Sequence, residues 1–387
     1  MNYLLPVISI ASIYAFRMLG LFMILPVFAA LALKYEGSTP ALIGSALGAY
    51  GLTQALLQMP FGVLSDKVGR KAIIMLGLLL FGAGSLVAAV ASDIHTVIIG
   101  RALQGTGAIG STLLALVADV TPPEKRNQAM AIIGASIGGS FALAMVLGPL
   151  VSSSFGLSGI FWTTTVLASV GILALFTIVP SPKTQTDQLT STLKHFKDVL
   201  TNRDLLHLNY AIFAQHAILT ASFVVIPKLL SHISSHNQWK LYCSIMFIAF
   251  LGIWKLQLFK RADNQKIYFL ALFMILASQT ALFLLPFSTA LLIALLFVFF
   301  FGFTILEVAL PSRVSKTAPP QSRGTAMGIY SSCQFLGIFF GGSVAGLLYS
   351  NFGIHAVFIM TTLLSLSWLI FSRSGIAYLK QVNTIDS

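Results

Sequence analysis

Charge is scarce in this chain. Asp, Glu, Lys and Arg make up 9% of its 387 residues, with 11 acids against 23 bases. A soluble protein needs a charged exterior over its apolar interior, so 57% hydrophobic residues with so little charge excludes the ordinary soluble class. Cysteine is nearly absent: Cys243 and Cys333 both lie in apolar runs, which excludes a disulfide framework and any zinc-ligand spacing. No clustered His, Asp and Cys offers a nucleophile, base or metal set, so neither an enzyme nor a metal site is expected. No P-loop glycine–lysine pattern is present, which disfavours direct use of ATP. Residues 105–110, Gly-Thr-Gly-Ala-Ile-Gly, satisfy the dinucleotide-binding glycine pattern literally. They sit inside an apolar helical run rather than after a strand, and are read as close packing.

What fills the chain is a succession of apolar runs long enough to cross a bilayer. About twelve spans fall near 8–33, 39–63, 72–91, 95–120, 128–155, 160–180, 205–230, 239–259, 266–286, 288–312, 324–350 and 354–373. The first run continues through Pro26 to Leu33, so it reads as a span and not as a cleavable signal peptide. The net charge of +12 is distributed by topology. With the N-terminus inside, Lys67, Arg70, Lys71, Lys125, Arg126, Arg203, Lys316 and Arg323 fall in cytoplasmic segments, whereas the outer segments hold only Lys34, Lys228 and Lys240. The positive-inside rule then places both termini in the cytoplasm. The basic balance marks a lipid bilayer as partner, not nucleic acid.

The chain repeats itself. Pro-Pro-Glu-Lys-Arg-Asn-Gln-Ala-Met at 122–130 returns as Pro-Pro-Gln-Ser-Arg-Gly-Thr-Ala-Met at 319–327, and the same offset carries Asp66 onto Asp263. Two parallel six-span halves produce such spacing. The expected organisation is an N-terminal six-helix bundle over 1–180, a cytoplasmic linker over 181–204 and a C-terminal bundle over 205–387 with a short tail. Leu193, Phe196, Val199 and Leu200 recur at helical spacing in the linker, suggesting an amphipathic segment. The residues after the last span are too few for a soluble domain. Small residues at close-packing spacing (Gly44, Gly48, Gly51; Gly134, Gly138, Ala142; Gly337, Gly341, Ala345) mark faces where helices approach closely, either as plain packing or as smooth sliding surfaces.

Between the second and third spans lies Gly-Val-Leu-Ser-Asp-Lys-Val-Gly-Arg-Lys, residues 62–71. Gly62 and Gly69 permit tight turning, and Lys67, Arg70 and Lys71 hold the loop inside. A basic topological loop does not need Asp66. This hairpin resembles the loop that marks the major facilitator superfamily of transporters: Gly, a four-residue step to Asp, then Gly-Arg-Lys. The resemblance implies that Asp66 contacts the N-terminus of the eleventh helix, near Gly324–Thr325, when the transporter faces outward, and that Arg70 pairs with Asp119. A helix N-terminus carries about half a positive charge, so an anion there is physically reasonable. By the repeat offset Arg70 maps to Ile267 and Asp119 to Lys316, so the relay cannot form in the second half and the gate is expected to be asymmetric.

Charges at membrane depth each cost about 2.5–3.5 kcal/mol on insertion scales and so face a cavity or a partner. Arg101, in Gly-Arg-Ala-Leu-Gln-Gly-Thr-Gly, resembles the family's fourth-helix motif, an Arg followed by Gln-Gly-x-Gly from Gln104 on, often assigned to proton coupling. Arg17 lies in the first span. Glu307 is the only acid well inside a span and the best proton-carrier candidate, since protonation removes a costly charge; a structural ion pair with Arg17 or another base is the alternative. His216, beside Gln215, could titrate or could serve as a hydrogen-bonding group between helices. In the fifth span Gly148 and Pro149 match the drug:proton antiporter branch pattern Gly-x-x-x-Gly-Pro-x-x-Gly-Gly, while Ala144, Ser152 and Ser153 replace its other glycines. Across nearly the whole chain the segments most resemble the YajR-like members of this branch, without the soluble C-terminal domain some of them carry.

The resemblance implies an all-α polytopic membrane protein, two pseudo-symmetric six-helix bundles of the major facilitator fold, in a bacterial inner membrane as a monomer. Spans one, four, seven and ten would line the cavity, and these contain Arg17, Arg101, His216 and Glu307. The expected function is alternating-access, proton-coupled efflux of an amphipathic small molecule, energised by the proton gradient without a cofactor. The 30 phenylalanines suit an apolar site or lipid contact. Export or import of a sugar or metabolite by the same fold, or a non-transporting membrane sensor or scaffold, are the alternatives.

Overall fold

The computed structural model describes residues 3–179, 197–230, 235–255, 264–286, 288–319 and 322–385. Its helices are α1 (Leu4–Phe22), α2 (Phe28–Leu31), α3 (Pro40–Val68), α4 (Arg70–Ala89), α5 (Ile94–Thr106), α6 (Gly110–Val120), α7 (Arg126–Thr177), α8 (Arg203–Leu229), α9 (Ser235–Lys255), α10 (Gln265–Leu284), α11 (Thr289–Thr317), α12 (Arg323–Phe352) and α13 (Ile354–Ile385). Short polar residues start them. Thr39 accepts the Leu42 amide at α3, Asp93 the Thr96 amide and hydroxyl at α5, and Ser288 the Leu291 amide at α11. These caps satisfy amides that have no partner within the helix. Those two bonds from Thr96 hold the Asp93 carboxyl below its ordinary range. Glycine stops them: Gly69 ends α3 at φ 107° and Gly353 ends α12 at φ 78°, a backbone region that side chains disfavour.

Among the described residues, ten helical stretches are long and apolar enough to cross a membrane, and one of these, 128–177, is two crossings in one run. Gly156 breaks α7 with φ 64° and ψ −165°. Contacts with α1 show the reversal. Tyr3 meets Gln128 and Met23 lies against Gly148, so the first limb runs parallel to α1; Gly20 lies against Thr164 and Ile13 near Gly171, so the second runs antiparallel. A turn between 155 and 160 was expected from sequence, but Gly156 alone accomplishes it.

Two expected spans are discontinuous. The first is α1, an irregular stretch 23–27 and α2; the fourth is α5 and α6, separated by Gly107–Ile109. The glycines of 105–110 therefore do more than pack. Gly105 is pressed against the Tyr50 carbonyl and the Thr53 hydroxyl, and Gly107 against the Gly77 carbonyl, while the helix unwinds at Gly107. Non-helical backbone at membrane depth persists only where protein buries it, and Ala108, Ile109 and Gly110 are buried.

The N-terminal helices α1 and α3–α7 pack on one another, as do α8 and α10–α13. The two bundles join along α3 with α12 and α7 with α9. The α3–α12 seam is made by glycines: Gly44 faces the backbone of Gly342 and Gly346, Gly48 faces Phe339 and Ser343, and Gly51 faces Phe335. Without side chains the two backbones approach closely, which is how helices associate in lipid. An aromatic plug continues the closure across the bundles: Phe141 of α7 packs on Phe22, Phe300 and Phe303 at centroid distances of 5.1, 6.3 and 5.3 Å. The hairpin end is different. Gly134, Gly138 and Gly139 of α7 and Gly324 of α12 are exposed, and a Cβ on any of them would meet nothing within 4 Å. Among the described residues the bundles are in contact at the end distant from the 62–71 hairpin, whereas at the hairpin end these glycines stand open. Gly134 and Gly138, expected as a packed face, are unpacked in this arrangement.

Within the N-terminal bundle Gly84 and Gly100 let α4 and α5 touch: a Cβ on Gly84 would collide with the backbone of Gly100 and Gln104. Backbone cannot rotate aside as a side chain can. Gly84→Val is therefore expected to destabilise by about 1–3 kcal/mol or more, read as a lower melting midpoint and a lower yield of monodisperse protein. Gly134→Val, at an open position, leaves both unchanged.

Candidate functional site

The polar residues gather in three places. At the hairpin, Gly69 turns the chain so that Arg70, the first residue of α4, faces both acids. Arg70 forms a salt bridge with Asp66 one turn back and places Nε 3.1 Å from Asp119 Oδ2 at the end of α6. Its Nη1 donates to Ser65 Oγ at 2.7 Å, and Ser65 donates to the Gly62 carbonyl. One guanidinium thus ties α3, α4 and α6. Asp66 is 41% exposed in its side chain and open space lies beside Gly324 at the start of α12, so among the described residues the acid is held by its own hairpin. Lys67 and Lys71 lie on the surface of the same turn, Lys71 half-buried. Asp263, the repeat counterpart of Asp66, lies outside the described residues, as does most of the 181–204 linker.

The second gathering is in the N-terminal bundle. Arg17 of α1 and Arg101 of α5 are each 1% exposed, and both touch Tyr50 of α3. Arg17 donates to the Tyr50 hydroxyl at 3.1 Å and to Gln54, which in turn donates to Gln58 at 2.7 Å. Arg101 stacks its guanidinium 4.7 Å from the Tyr50 ring centre and donates to Gln104 at 2.8 Å; Gln104 donates to Ser85 at 2.7 Å. Neither base has a carboxylate partner among the described residues. A guanidinium over an aromatic face is attracted by the ring quadrupole, more so when desolvated.

The third is in the C-terminal bundle. Gln215 of α8 donates to Glu307 of α11 at 3.1 Å and to the Phe303 carbonyl at 3.3 Å. His216 Nε2 is 3.8 Å from Glu307 Oε2 and 2.8 Å from Gln334 Nε2 of α12. His216 is enclosed, whereas the Glu307 side chain is 18% exposed. The structure brings Glu307 to His216 and not to Arg17. Elsewhere, Gly148 lies against the Met23 carbonyl and Pro26, where α7 meets the irregular stretch after α1, and Pro149 lies within α7.

A model of the Major Facilitator Superfamily matches residues 10–342 and again 308–380. The Inner membrane transport protein YajR of Escherichia coli (strain K12) is 38% identical over 367 residues, 93% of this chain and 81% of that protein. The chain belongs to the Major Facilitator Superfamily. It is a multi-pass membrane transporter, and neither its relatives nor its fold is that of an enzyme. The Quinolone resistance protein NorA of Staphylococcus aureus (strain Mu50 / ATCC 700699) is 25% identical over 350 residues, 86% of each chain. Among solved structures, a bacterial homologue of the human lysosomal transporter Spinster, inward-facing and occupied, superposes with a TM-score of 0.74 at 14% identity over 94% of this chain and 95% of that one. The human organic anion transporter MFSD10 gives 0.72 at 20% identity, covering 96% and 99%. At these identities the structures speak for the fold alone.

Within this superfamily member, sequence reasoning passed over Tyr50, Gln54, Gln58, Ser85 and Gln334. The signal was present: Gln54 and Gln58 stand one helical turn apart in an apolar span, the spacing that stacks them on one face. Uncharged amides attract less attention than charges, yet each needs hydrogen-bond partners in lipid just the same.

Proposed function

We propose that this transporter is a proton-coupled exporter of an amphipathic small molecule, working by alternating access of an N-terminal bundle over 1–180 and a C-terminal bundle over 205–387 joined by the 181–204 linker. The membrane is a bacterial inner membrane, with the hairpin and both termini cytoplasmic and the chain monomeric. The observation that carries the reading is Glu307. It is the one acid well inside a span, its side chain keeps 18% of its surface exposed, and it is surrounded by neutral or titratable groups, Gln215 and His216, with Tyr14 and Tyr330 within electrostatic reach. An acid so placed can lose its proton on one side and regain it on the other as the bundles rock. A quinolone resistance protein, NorA, among the relatives supports an amphipathic cargo, as does the phenylalanine plug above the site. The hairpin relay serves as the latch of the opposite state, in which Asp66 reaches the α12 N-terminus.

The test is flux in proteoliposomes with an imposed pH gradient across a panel of amphipathic compounds, sugars and metabolites. The reading expects gradient-driven movement of at least one amphiphile against its concentration. Gradient-driven movement of sugars alone, or no flux of any compound by well-folded protein, contradicts it.

A further inference from the structure

Arg17 and Arg101 pose a charge problem that the proton reading does not resolve. Two guanidiniums, each 1% exposed, stand against one tyrosine in the membrane interior. Arginine does not give up its charge. Each intramembrane charge costs about 2.5–3.5 kcal/mol on insertion scales unless paired. The sole carboxylate well inside the spans, Glu307, is engaged in the other bundle by Gln215 and His216. Their protein partners are neutral: Tyr50, Gln54 and Gln104. Three guanidinium nitrogens, Arg17 Nε, Arg17 Nη1 and Arg101 Nε, are buried without a hydrogen-bond partner. Buried charged donors left unmade cost more than neutral ones.

We propose that Arg17 and Arg101, with Tyr50 between them, bind a small inorganic anion of chloride size within the N-terminal bundle. The chemistry follows from the donors, which are all N–H groups on delocalised cations, suited to an anion and to no metal. The size follows from burial. The two cations are each 1% exposed and no open space lies against their unpartnered nitrogens, so a bulky amphiphile is excluded. A small ion enters only as the Arg17 and Arg101 side chains shift apart to admit it, as a resident of the bundle and not the cargo. Such an ion would neutralise part of the local field and hold three helices at the level where α5 unwinds into α6.

The test uses the full chain in lipid nanodiscs, dialysed from chloride into gluconate at matched ionic strength. The melting midpoint is expected to rise with chloride concentration and saturate, as for a ligand that binds the folded state alone. Bromide should substitute and gluconate should not. Arg17→Gln and Arg101→Gln should each weaken the apparent chloride affinity at least about tenfold, the usual loss for a charge-assisted hydrogen bond. If either variant does not fold, Arg17→Lys and Arg101→Lys keep the charge but lose the planar fork, and should show intermediate affinity. Equal midpoints in chloride and gluconate, or an unaltered chloride response in these variants, overturn the site. Stabilisation by 2-naphthoate with none by chloride also overturns it, because the anion would then be cargo. The outcome is separable from the transport reading: pH-driven flux without a chloride response removes only this site, and a chloride response without pH-driven flux removes only the coupling.

Discussion

Asp66→Asn is expected to slow transport by up to about thirtyfold while leaving membrane insertion and melting unchanged. The asymmetry between the two states gives the magnitude. In the hairpin-open arrangement Asp66 pairs with Arg70, and both side chains are partly exposed at 41% and 20%. An exposed pair of this kind is worth about 0–1 kcal/mol, and Arg70 keeps Asp119 and Ser65 when Asp66 is neutralised. Little is lost in the open state. In the closed state the carboxylate would lie at the start of α12, near Gly324, where a partly buried anion gains up to about 2 kcal/mol from the helix dipole. Losing that contact shifts the two-state balance by up to about thirtyfold towards the open form. The measurements are flux in proteoliposomes and labelling of a cysteine placed at the exposed Gly324, which should react faster in the variant. Full transport by Asp66→Asn would remove the gating role. The second bundle offers no substitute: at the repeat positions of Arg70 and Asp119 stand Ile267 and Lys316.

Glu307→Gln carries the other large expected effect, loss of gradient-driven accumulation with exchange preserved. Glutamine retains the shape of the side chain and an oxygen to accept from Gln215, so the α8–α11 contact survives. It cannot ionise. One proton moving per cycle through a gradient of one pH unit supports about tenfold accumulation, and the variant should show none. Downhill exchange of cargo across equal pH needs no proton and should continue at near the original rate. His216, 3.8 Å away, is the neighbouring group placed to take over. It is fully enclosed and engaged by Gln334, which makes it the less accessible carrier.

Much of this arrangement was legible in the sequence because it depends on local or periodic signals. Apolar run length marked the crossings, and the hairpin at 62–71 carried the family resemblance. The glycines at 44, 48 and 51 marked the face that meets α12. What hydropathy could not reveal was continuity. Residues 23–27 and 107–109 are as apolar as the helices beside them, so only Pro26 and the glycines at 105, 107 and 110 mark the breaks, and these read as part of a span and as close packing. Nor could spacing decide partners across bundles. Arg17 was an available mate for Glu307 by charge alone, and only the packing of α8 against α11 brings His216 and Gln215 there instead. The glycines at 134 and 138 read as a packed face, but packing belongs to a state, and in this arrangement that face is bare.

The coupling role of Glu307 is the centre of the account, and one comparison tests it most directly. Wild-type and Glu307→Gln protein, reconstituted side by side in proteoliposomes, are given the same cargo with and without an imposed pH gradient. The account predicts that the gradient drives accumulation in the wild type alone, and that both exchange cargo at similar rates when the pH is equal. Equal gradient-driven accumulation by the two proteins would contradict it and move the proton to another group.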